Sequence, residues 1–367
     1  MAGVVLIVLA AAASLAVESL LGNETVGPDA REIERLSVSA VPERALAGQK
    51  LMVRMNGSAT PDLMRQARKG EVGGVIAFPP LGQPEDELRK EIARLQEGAR
   101  DGRQPPLLVA TDQEGGEIKR LPEGPPDSSP AELGAADDDA EARAAGRETG
   151  RYLSGLGINV DLAPVLDVPS SEASFISGRA FGTDPAVVAA AGVAFAEGLE
   201  AGGVIPAAKH FPGLGSAVAN TDLEASTVDA PESKLSEALA PFRDAIAAGV
   251  PIVMIGHAVY RAFDPERPAA LSPQIVGGLL RADLGFEGVV MSDDLGAGAV
   301  RAAVSERKAP VAAALAGIDV LLLAQTGKGK PAVEALLDAL ARGELSRTSL
   351  EDSYLRILDL KESIQRL

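Results

Sequence analysis

The sequence has no cysteine, no tryptophan and only two histidines among its 367 residues. Without cysteine the chain cannot form disulfides, a cysteine-ligated zinc site or an iron–sulfur cluster, and it has no thiol nucleophile. Two histidines cannot build a three-histidine metal site. Aromatic residues make up only 3 % of the chain, so it offers few flat aromatic surfaces on which a ligand could stack.

Positive charge is also scarce, with 35 Lys+Arg against 52 Asp+Glu and a net charge of −17. A field of this sign disfavours nucleic acid and anionic membranes as partners. Apolar residues make up 46 % of the chain and charged residues 24 %, a composition that supports a large buried core. The 39 glycines and 25 prolines are typical of many short loops between regular elements.

One long apolar run lies at the N-terminus. Residues 4–17, VVLIVLAAAASLAV, carry no charge, and their length suits the hydrophobic segment of a signal peptide better than a membrane span. Small residues at 11–16 offer cleavage sites, although no Lys or Arg precedes the run. We therefore predict a signal or anchor segment with its linker over residues 1–36, and an exported or membrane-tethered protein. A buried first helix is the alternative.

After this leader, short β-rich runs alternate with longer helix-like stretches. Most of the short runs are almost continuously apolar, which is typical of strands covered on both faces of a parallel sheet. Eight strand–helix units predict an α/β fold, a single (β/α)8 TIM-type barrel over residues 37–367. A doubly wound open sheet is the alternative, although no G-x-G-x-x-G follows the first run. The predicted strands are 51–55, 74–78, 107–112, 158–164, 206–211, 252–257, 288–293 and 319–324, and the predicted helices include 131–154, 185–201, 233–248, 330–342 and the amphipathic 347–366.

Polar side chains cluster at the ends of five predicted strands. Barrel enzymes carry their active sites where the strands end, so this cluster predicts a functional mouth. Both histidines of the chain belong to it. The cluster comprises Asp112, Gln113, Glu114, Asp167, Lys209, His210, His257, Asp293 and Asp294.

Most of these residues lie within specific motifs. KHFPG and SDDL, each at the end of a predicted strand, are far more specific than a lone glycine-rich motif. In chain order the motifs are TDQEGGEIKRL (111–121), NVDLAPVLDV (159–168), GRAFGTDP (178–185), KHFPGLG (209–215), VMIGHAVY (253–260) and MSDDLGAGA (291–299).

In kind and order these motifs resemble the catalytic barrel of glycoside hydrolase family 3, most closely its single-domain β-N-acetylhexosaminidase branch. The resemblance implies a retaining hydrolase, without cofactor or metal, that removes a terminal β-linked N-acetylglucosamine. Peptidoglycan fragments are one candidate source of that sugar, and a β-glucoside is the alternative substrate. Retention needs a carboxylate that attacks the anomeric carbon and a group that protonates the leaving oxygen. By the family pattern Asp293 is that nucleophile, with helix capping as the non-catalytic alternative.

The resemblance also implies how the sugar is held. Asp112 matches a carboxylate that accepts hydrogen bonds from sugar hydroxyls, while Arg120 and Arg179 match guanidinium groups that hold the sugar. Lys209 and His210 match a Lys–His pair that contacts sugar hydroxyls. The alternative for all five residues is a purely structural role, in a salt-bridge network at the mouth of the barrel.

His257 and the loop after the fifth predicted strand complete the comparison with the family. His257 matches a family position beside the site, in a structural or supporting role. The family branch reads K-H-F-P-G-H-G and then D-S-H in the loop after the fifth strand, and its Asp–His pair serves as the acid/base. Here Asn220, Thr221 and Asp222 stand where D-S-H would be.

Several outcomes of this replacement stay open. We expect Asp222 to act as acid/base, with its pKa raised by a dry pocket or by the charge of Asp293, and Asn220 to support it. Glu224 on the same loop, an acid from a partner chain, and a sugar-binding pseudoenzyme are the alternatives. Two other reaction classes, Schiff-base chemistry and metal-dependent hydrolysis, have less support in the sequence. A Schiff-base lysine needs a more apolar pocket than Lys209 has, and no H-x-H or H-E-x-x-H spacing supports a metal-dependent hydrolase.

Overall fold

The computed structural model describes residues 38–136, 138–364 and 366–367. Eight parallel strands form its main sheet. The strands are β1 (Leu51–Met55), β2 (Gly74–Ala77), β3 (Leu108–Thr111), β4 (Val160–Asp161), β5 (Ile205–Phe211), β6 (Ile252–Ile255), β7 (Val289–Ser292) and β8 (Leu321–Leu323). The predicted leader and linker, residues 1–36, lie outside the described residues. Across the described part of the chain, no helix combines the length and apolar character that a membrane span needs.

The main sheet closes on itself. Its strand order is β7–β6–β5–β4–β3–β2–β1–β8, so the first and last strands of the chain are neighbours. A parallel bridge between Met291 and Val320 and a 2.9 Å hydrogen bond from Ser292 N to Val320 O join β7 to the start of β8. The predicted (β/α)8 barrel is confirmed. The doubly wound alternative is wrong, because an open sheet would leave β7 and β8 as unpaired edges.

All eight predicted strands are present, although most are shorter than predicted. The largest difference falls on 158–164, where only Val160–Asp161 forms a regular strand. The chain beyond it still runs beside β5, because Ala163 O accepts a 2.9 Å hydrogen bond from Ala207 N. Regular pairing is interrupted at Pro164, which has no N–H to donate.

Helices cover the outside of the barrel. They are α1 (Glu43–Gln49), α2 (Pro61–Lys69), α3 (Glu85–Asp101), α4 (Pro130–Ala135), α5 (Asp139–Gly155), α6 (Pro185–Ala201), α7 (Glu232–Ala247), α8 (Gly298–Ala303), α9 (Ala309–Ala316), α10 (Gly329–Ala341) and α11 (Arg347–Ile364). The single helix predicted over 131–154 is therefore wrong, since two helices share that stretch. A capping box between Ser129 and Glu132 starts α4, and the Asp138 side chain caps the start of α5 by accepting from Ala140 N.

The loops that follow β3, β4, β5 and β6 contain short additional strands and turns. An antiparallel pair follows β3, and a three-stranded sheet combines segments from the loops after β5 and β6. These elements give the loops at the C-terminal mouth a fixed course. They are the strands Gln113–Gly115, Ile118–Lys119, Thr227–Val228, Val259–Tyr260 and Asp264–Pro268, with the 3-10 turns Ser177–Arg179 and Ala269–Leu271. The π-helical segment Gln274–Asp283 instead connects β6 to β7 and buries Ile275, Val276 and Leu280 in the core.

The opposite end of the barrel is closed by α11. Ile357 and Leu360 of α11 pack into the same apolar cluster as the inward-facing residues of the strands. Lys361 Nζ donates to Gln49 Oε1 at 2.7 Å and to Gly73 O at 2.9 Å, just before β1 and β2. Because this end is filled, the C-terminal ends of the strands form the open mouth.

Candidate active site

Six of the nine polar side chains predicted at the strand ends line one pocket in the barrel mouth, whereas Gln113, Asp167 and His257 do not. Its volume is about 230 Å³. Eight of the nine sequence-predicted site residues line it, and the ninth, His257, lies behind it, buried. The eight are Asp112, Arg120, Arg179, Lys209, His210, Asn220, Asp222 and Asp293.

A buried ion network forms one wall of the pocket. Arg179 forms a bidentate salt bridge with Glu114, with Nε 2.8 Å from Oε2 and Nη2 2.7 Å from Oε1. Lys209 Nζ lies 2.6 Å from Glu114 Oε1. Burial opposes ionisation of Glu114, but the charges of Lys209 and Arg179 outweigh it and lower the pKa to about 2. Sequence reasoning placed Glu114 at the mouth without a role, and its position two residues after Asp112 was the available signal.

The same lysine joins Glu114 to Asp112. Lys209 Nζ lies 3.0 Å from Asp112 Oδ1, and Arg120 approaches Asp112 Oδ2 at 3.4 Å. The Arg120 guanidinium also lies 4.7 Å from the centre of the Phe78 ring. Burial alone would lower the pKa of Lys209, but the two carboxylates raise it overall. A Schiff-base lysine needs a neutral amine, so this environment disfavours that reaction class.

His210 is held by a carboxylate that sequence analysis left without a role. Asp167 is fully buried. Its Oδ2 lies 2.7 Å from His210 Nδ1, and its Oδ1 accepts the Leu214 N–H at 2.6 Å. His210 Nε2 consequently faces the pocket, 3.4 Å from Arg179 Nη2 and 3.9 Å from Asp293 Oδ2.

Asp293 follows β7 directly. Its Oδ1 accepts the N–H of Asp294 at 2.7 Å, while its Oδ2 is the oxygen nearer His210. Burial opposes ionisation of Asp293, but the His210 and His257 rings together with the Asp294 N–H hold its pKa below the usual range. The carboxylate is therefore ionised at neutral pH. Helix capping does not explain the residue, because the N-cap of α8 is Ala297.

Asp294 and His257 support the backbone beside Asp293. Asp294 Oδ1 accepts hydrogen bonds from Gly296 N at 3.0 Å and from Ala324 N at 2.9 Å. His257 Nε2 donates to the carbonyl of Asp294 at 2.9 Å. These bonds tie the turn after β7 to the loops after β6 and β8, and so fix the main chain next to Asp293.

The loop after β5 carries Asp222 to the pocket. We refer to residues 212–226 as the acid loop. Asn220 Oδ1 accepts the N–H of Asp222 at 2.9 Å, and the Asp222 carbonyl accepts from Gly298 N at 2.8 Å. A side chain at Gly298 would meet the carbonyl of Leu223 at 1.9 Å, so glycine is needed for the acid loop to pack on α8.

Among the carboxyls that line the pocket, Asp222 and Asp293 differ in their tendency to ionise. Asp222 lies at the exposed rim of the pocket. Partial burial of its carboxyl and the negative charge of Asp293 raise its pKa, and His210 and Arg179 offset this only in part. Glu224, the alternative acid on the same loop, is exposed and lies outside the pocket lining. The pocket thus contains a carboxylate with a lowered pKa and a carboxyl with a raised one.

The sequence model for the glycosyl hydrolase family 3 N-terminal domain matches residues 46–360. The chain belongs to glycosyl hydrolase family 3. The resemblance inferred from the motifs is confirmed.

Similar proteins support the assignment along most of the chain. An uncharacterized secreted glycosyl hydrolase of Arthroderma benhamiae is 33 % identical over 345 residues, 90 % of this chain and 98 % of that protein. A family 3 β-N-acetylglucosaminidase from Paenibacillus superposes with a TM-score of 0.85 at 34 % identity, over 89 % of this chain and 64 % of that one. A β-N-acetylhexosaminidase from Beutenbergia cavernae superposes with a TM-score of 0.81 at 32 % identity, over 88 % of this chain and 99 % of that one.

One further acid lies inside this family 3 barrel. Asp161 at the end of β4 is fully buried. Its Oδ1 accepts from Gln113 N at 3.0 Å, whereas its Oδ2 lacks a partner among the described residues. Burial raises its pKa well above the usual range, with Asp112 and Glu114 acting in the same direction. The raised pKa of Asp161 favours its protonated form, in contrast to Glu114, whose pKa is lowered by Lys209 and Arg179.

Proposed function

We propose that this family 3 barrel is a β-N-acetylhexosaminidase, a glycoside hydrolase that removes a terminal β-linked N-acetylglucosamine. The observation that carries the proposal is the pair Asp293 and Asp222, two carboxyl groups with opposite pKa shifts that line one pocket. Such a pair is what retaining glycoside hydrolysis requires. Two similar solved structures are a β-N-acetylglucosaminidase and a β-N-acetylhexosaminidase, and they supply the choice of sugar.

Asp293 acts as the nucleophile in this mechanism. Its carboxylate attacks the anomeric carbon, the bond to the leaving oxygen breaks, and a covalent glycosyl–enzyme ester forms. Its lowered pKa keeps it ionised and ready to attack. Water then attacks the same carbon and releases the sugar, which restores the free carboxylate.

Asp222 acts as the acid and then the base. In the first step it donates its proton to the leaving oxygen, and in the second it takes a proton from the attacking water. Its raised pKa favours the protonated form that the first step needs. Asn220 holds the N–H of Asp222 and supports the position of this side chain.

The ion network binds the terminal sugar. Asp112 accepts hydrogen bonds from adjacent sugar hydroxyls, while Arg120, Arg179 and Lys209 donate to sugar oxygens and His210 contacts a hydroxyl through Nε2. The salt bridges among these groups hold them in place before the sugar arrives, which reduces the entropy lost on binding. The same side chains therefore form both the salt-bridge network and the sugar-binding site.

The proposal extends to domain organisation and location. Residues 1–36 are a signal or anchor segment with a linker, and residues 37–367 are the catalytic barrel. The Arthroderma relative is described as secreted, which agrees with an extracytoplasmic enzyme. Peptidoglycan fragments are a candidate source of its terminal N-acetylglucosamine.

Release of 4-nitrophenol tests the function. The wild type should hydrolyse the β-N-acetylglucosaminide faster than the β-glucoside, and Asp293→Ala should reduce turnover to background. Asp229→Asn, which changes an exposed aspartate outside the pocket, should retain wild-type turnover. No turnover of either substrate, with saturable binding of free N-acetylglucosamine, would instead identify a sugar-binding pseudoenzyme.

A further inference from the structure

Gln113 lies between two members of the ion network, Asp112 and Glu114, but its side chain does not reach the pocket. Both neighbours line the pocket, whereas Gln113 is fully buried outside that lining. The segment Gln113–Gly115 is extended, and successive side chains of an extended segment point to opposite faces. The Gln113 amide therefore lies behind the wall that carries the two carboxylates.

The amide of Gln113 is bonded to the main chain of the segment that carries Arg120. Gln113 Oε1 accepts the Leu121 N–H at 3.1 Å, and Gln113 Nε2 donates to the Leu121 carbonyl at 2.9 Å. Nε2 also donates to the Pro125 carbonyl at 2.8 Å. One side chain thus uses its acceptor and both of its donors to hold three main-chain groups of residues 121–125.

Arg120 directly precedes this clamped segment. Its own N–H donates to the Asp112 carbonyl at 3.1 Å. Its guanidinium is held less firmly, at 3.4 Å from Asp112 Oδ2 and 4.7 Å from the centre of the Phe78 ring, and 39 % of the side chain is exposed. The position of the guanidinium therefore depends on the main chain of Arg120 and Leu121.

Gln113 is itself anchored to the barrel. Its N–H donates to Asp161 Oδ1 at 3.0 Å, and Asp161 is fully buried at the end of β4. The hydrogen bonds therefore run from a barrel strand through Gln113 to the main chain beside Arg120. Through these bonds the surface segment 120–125 is fixed relative to the strand ends that form the pocket.

We propose that Gln113 is a positioning residue for sugar binding, whose amide fixes the main chain at Arg120 so that the guanidinium stays beside Asp112. The inference rests on the proposed function and adds a residue to it. An arginine that is held in place before the sugar arrives loses less conformational entropy on binding. Loosening it weakens binding of the substrate and of the transition state alike, so KM should rise while kcat changes little.

A double-mutant cycle between Gln113→Met and Arg120→Met tests the proposal without relying on catalysis. Methionine keeps the length of the Gln113 side chain and removes its amide. The dissociation constant of methyl 1-thio-β-N-acetylglucosaminide is measured by calorimetry for the wild type, both single variants and the double variant. We expect Gln113→Met to weaken binding about fivefold, and the double variant to bind no more weakly than Arg120→Met alone.

Gln96 of α3 provides a matched control, because its amide makes the same pair of bonds with the main chain of another leucine. Its Oε1 accepts the Leu107 N–H and its Nε2 donates to the Leu107 carbonyl, both at 2.9 Å. Leu107 precedes β3, at the end of the strand opposite the pocket. Gln96→Met should reduce stability in denaturant unfolding, since hydrogen bonds are lost, and should leave sugar binding unchanged.

The stability of the Gln113 variants separates positioning from folding. Gln113→Met should reduce the free energy of unfolding equally in the wild-type and Arg120→Met backgrounds, whereas its effect on sugar binding should appear only in the first. Gln113→Glu, which keeps the size of the side chain and its acceptor for the Leu121 N–H, takes the place of Gln113→Met in the same cycle if Gln113→Met does not fold.

Each outcome bears on one proposal. Unchanged binding in Gln113→Met, a fully additive loss in the double variant, or an equal loss in Gln96→Met would overturn the positioning role. Unchanged binding in Arg120→Met would overturn it as well, while hydrolysis through Asp293 would stand. If the two substitutions are non-additive in binding but no glycoside is hydrolysed, the positioning role stands and the proposed hydrolysis fails.

Discussion

Asp167 Oδ2 lies 2.7 Å from His210 Nδ1, and the other nitrogen of the same ring lies 3.9 Å from Asp293 Oδ2. A fully buried carboxylate therefore fixes an imidazole whose free nitrogen faces the proposed nucleophile. Because Nδ1 is held by Asp167, the ring directs Nε2 into the pocket. His210 can then contact a sugar hydroxyl through Nε2.

Asp167→Asn should weaken catalysis through His210. The amide offers one acceptor oxygen in place of two, so it cannot satisfy both the His210 ring and the Leu214 N–H. We expect about a tenfold loss in kcat/KM, equivalent to about one hydrogen bond. A double-mutant cycle with His210→Ala checks the pathway. In the His210→Ala background the Asp167 substitution should cost little more, and a full additive loss would contradict the positioning role.

The pH dependence of hydrolysis should follow the two carboxyls. Because the pKa of Asp293 is lowered, its protonation should reduce the rate on the acidic side of the profile. Because the pKa of Asp222 is raised, the rate should also fall as pH increases and this group loses its proton. In Asp222→Asn the alkaline limb should disappear while the acidic limb remains. Persistence of the alkaline limb in this variant would point to another acid.

Leaving-group dependence should identify the acid independently. Asp222→Asn should lose about 10²–10⁴-fold in rate on alkyl glycosides, which need protonation, and much less on the 4-nitrophenyl glycoside. Azide, a small nucleophile that needs no base, should restore turnover of the activated substrate. Glu224→Gln is the matched control and should behave as wild type. A loss on alkyl glycosides in Glu224→Gln, with wild-type rates in Asp222→Asn, would assign the acid to Glu224.

Glu114→Gln should destabilise the barrel as well as impair binding. Glu114 is the shared partner of Arg179 and Lys209, and its loss leaves a buried lysine and a partly buried arginine short of a counter-charge. Breaking a buried ion pair in this way costs about 3–5 kcal/mol. Denaturant unfolding measures this cost, with the exposed pair variant Glu237→Gln as the control. A change below about 1 kcal/mol, the value typical of surface pairs, would show that the network is not a structural element.

Lys361 should make stability increase with pH. Burial in the closed end of the barrel lowers its pKa to about 7 from the ordinary 10.5. Between these values the folded state binds fewer protons than the unfolded state, so the free energy of unfolding rises with pH. The rise is on the order of 5 kcal/mol over the full window. Lys361→Met should flatten it in unfolding measurements at pH 6.5 to 10, and Lys330→Met, at an exposed site, should not.

Most of the fold follows from local sequence. Eight nearly continuous apolar runs separated by helix-like stretches are satisfied by a closed parallel sheet covered with helices, because such strands must be buried on both faces. The position of the site follows in turn. All strands of a parallel barrel end at the same side, so polar motifs after β3, β5 and β7 are brought to one mouth whatever the details of the loops.

The tertiary structure alone decided the partners and charge states within that mouth. Glu114 meets Arg179 across 65 residues, and Asp167 meets His210 across 43, contacts for which local sequence carries no signal. Asp161, Asp222 and Asp293 are the same residue type, yet the pKa values of Asp161 and Asp222 are raised and that of Asp293 is lowered. The physical reason is that a carboxyl's pKa depends on its burial and on the charges around it, and both arise only when distant segments pack together.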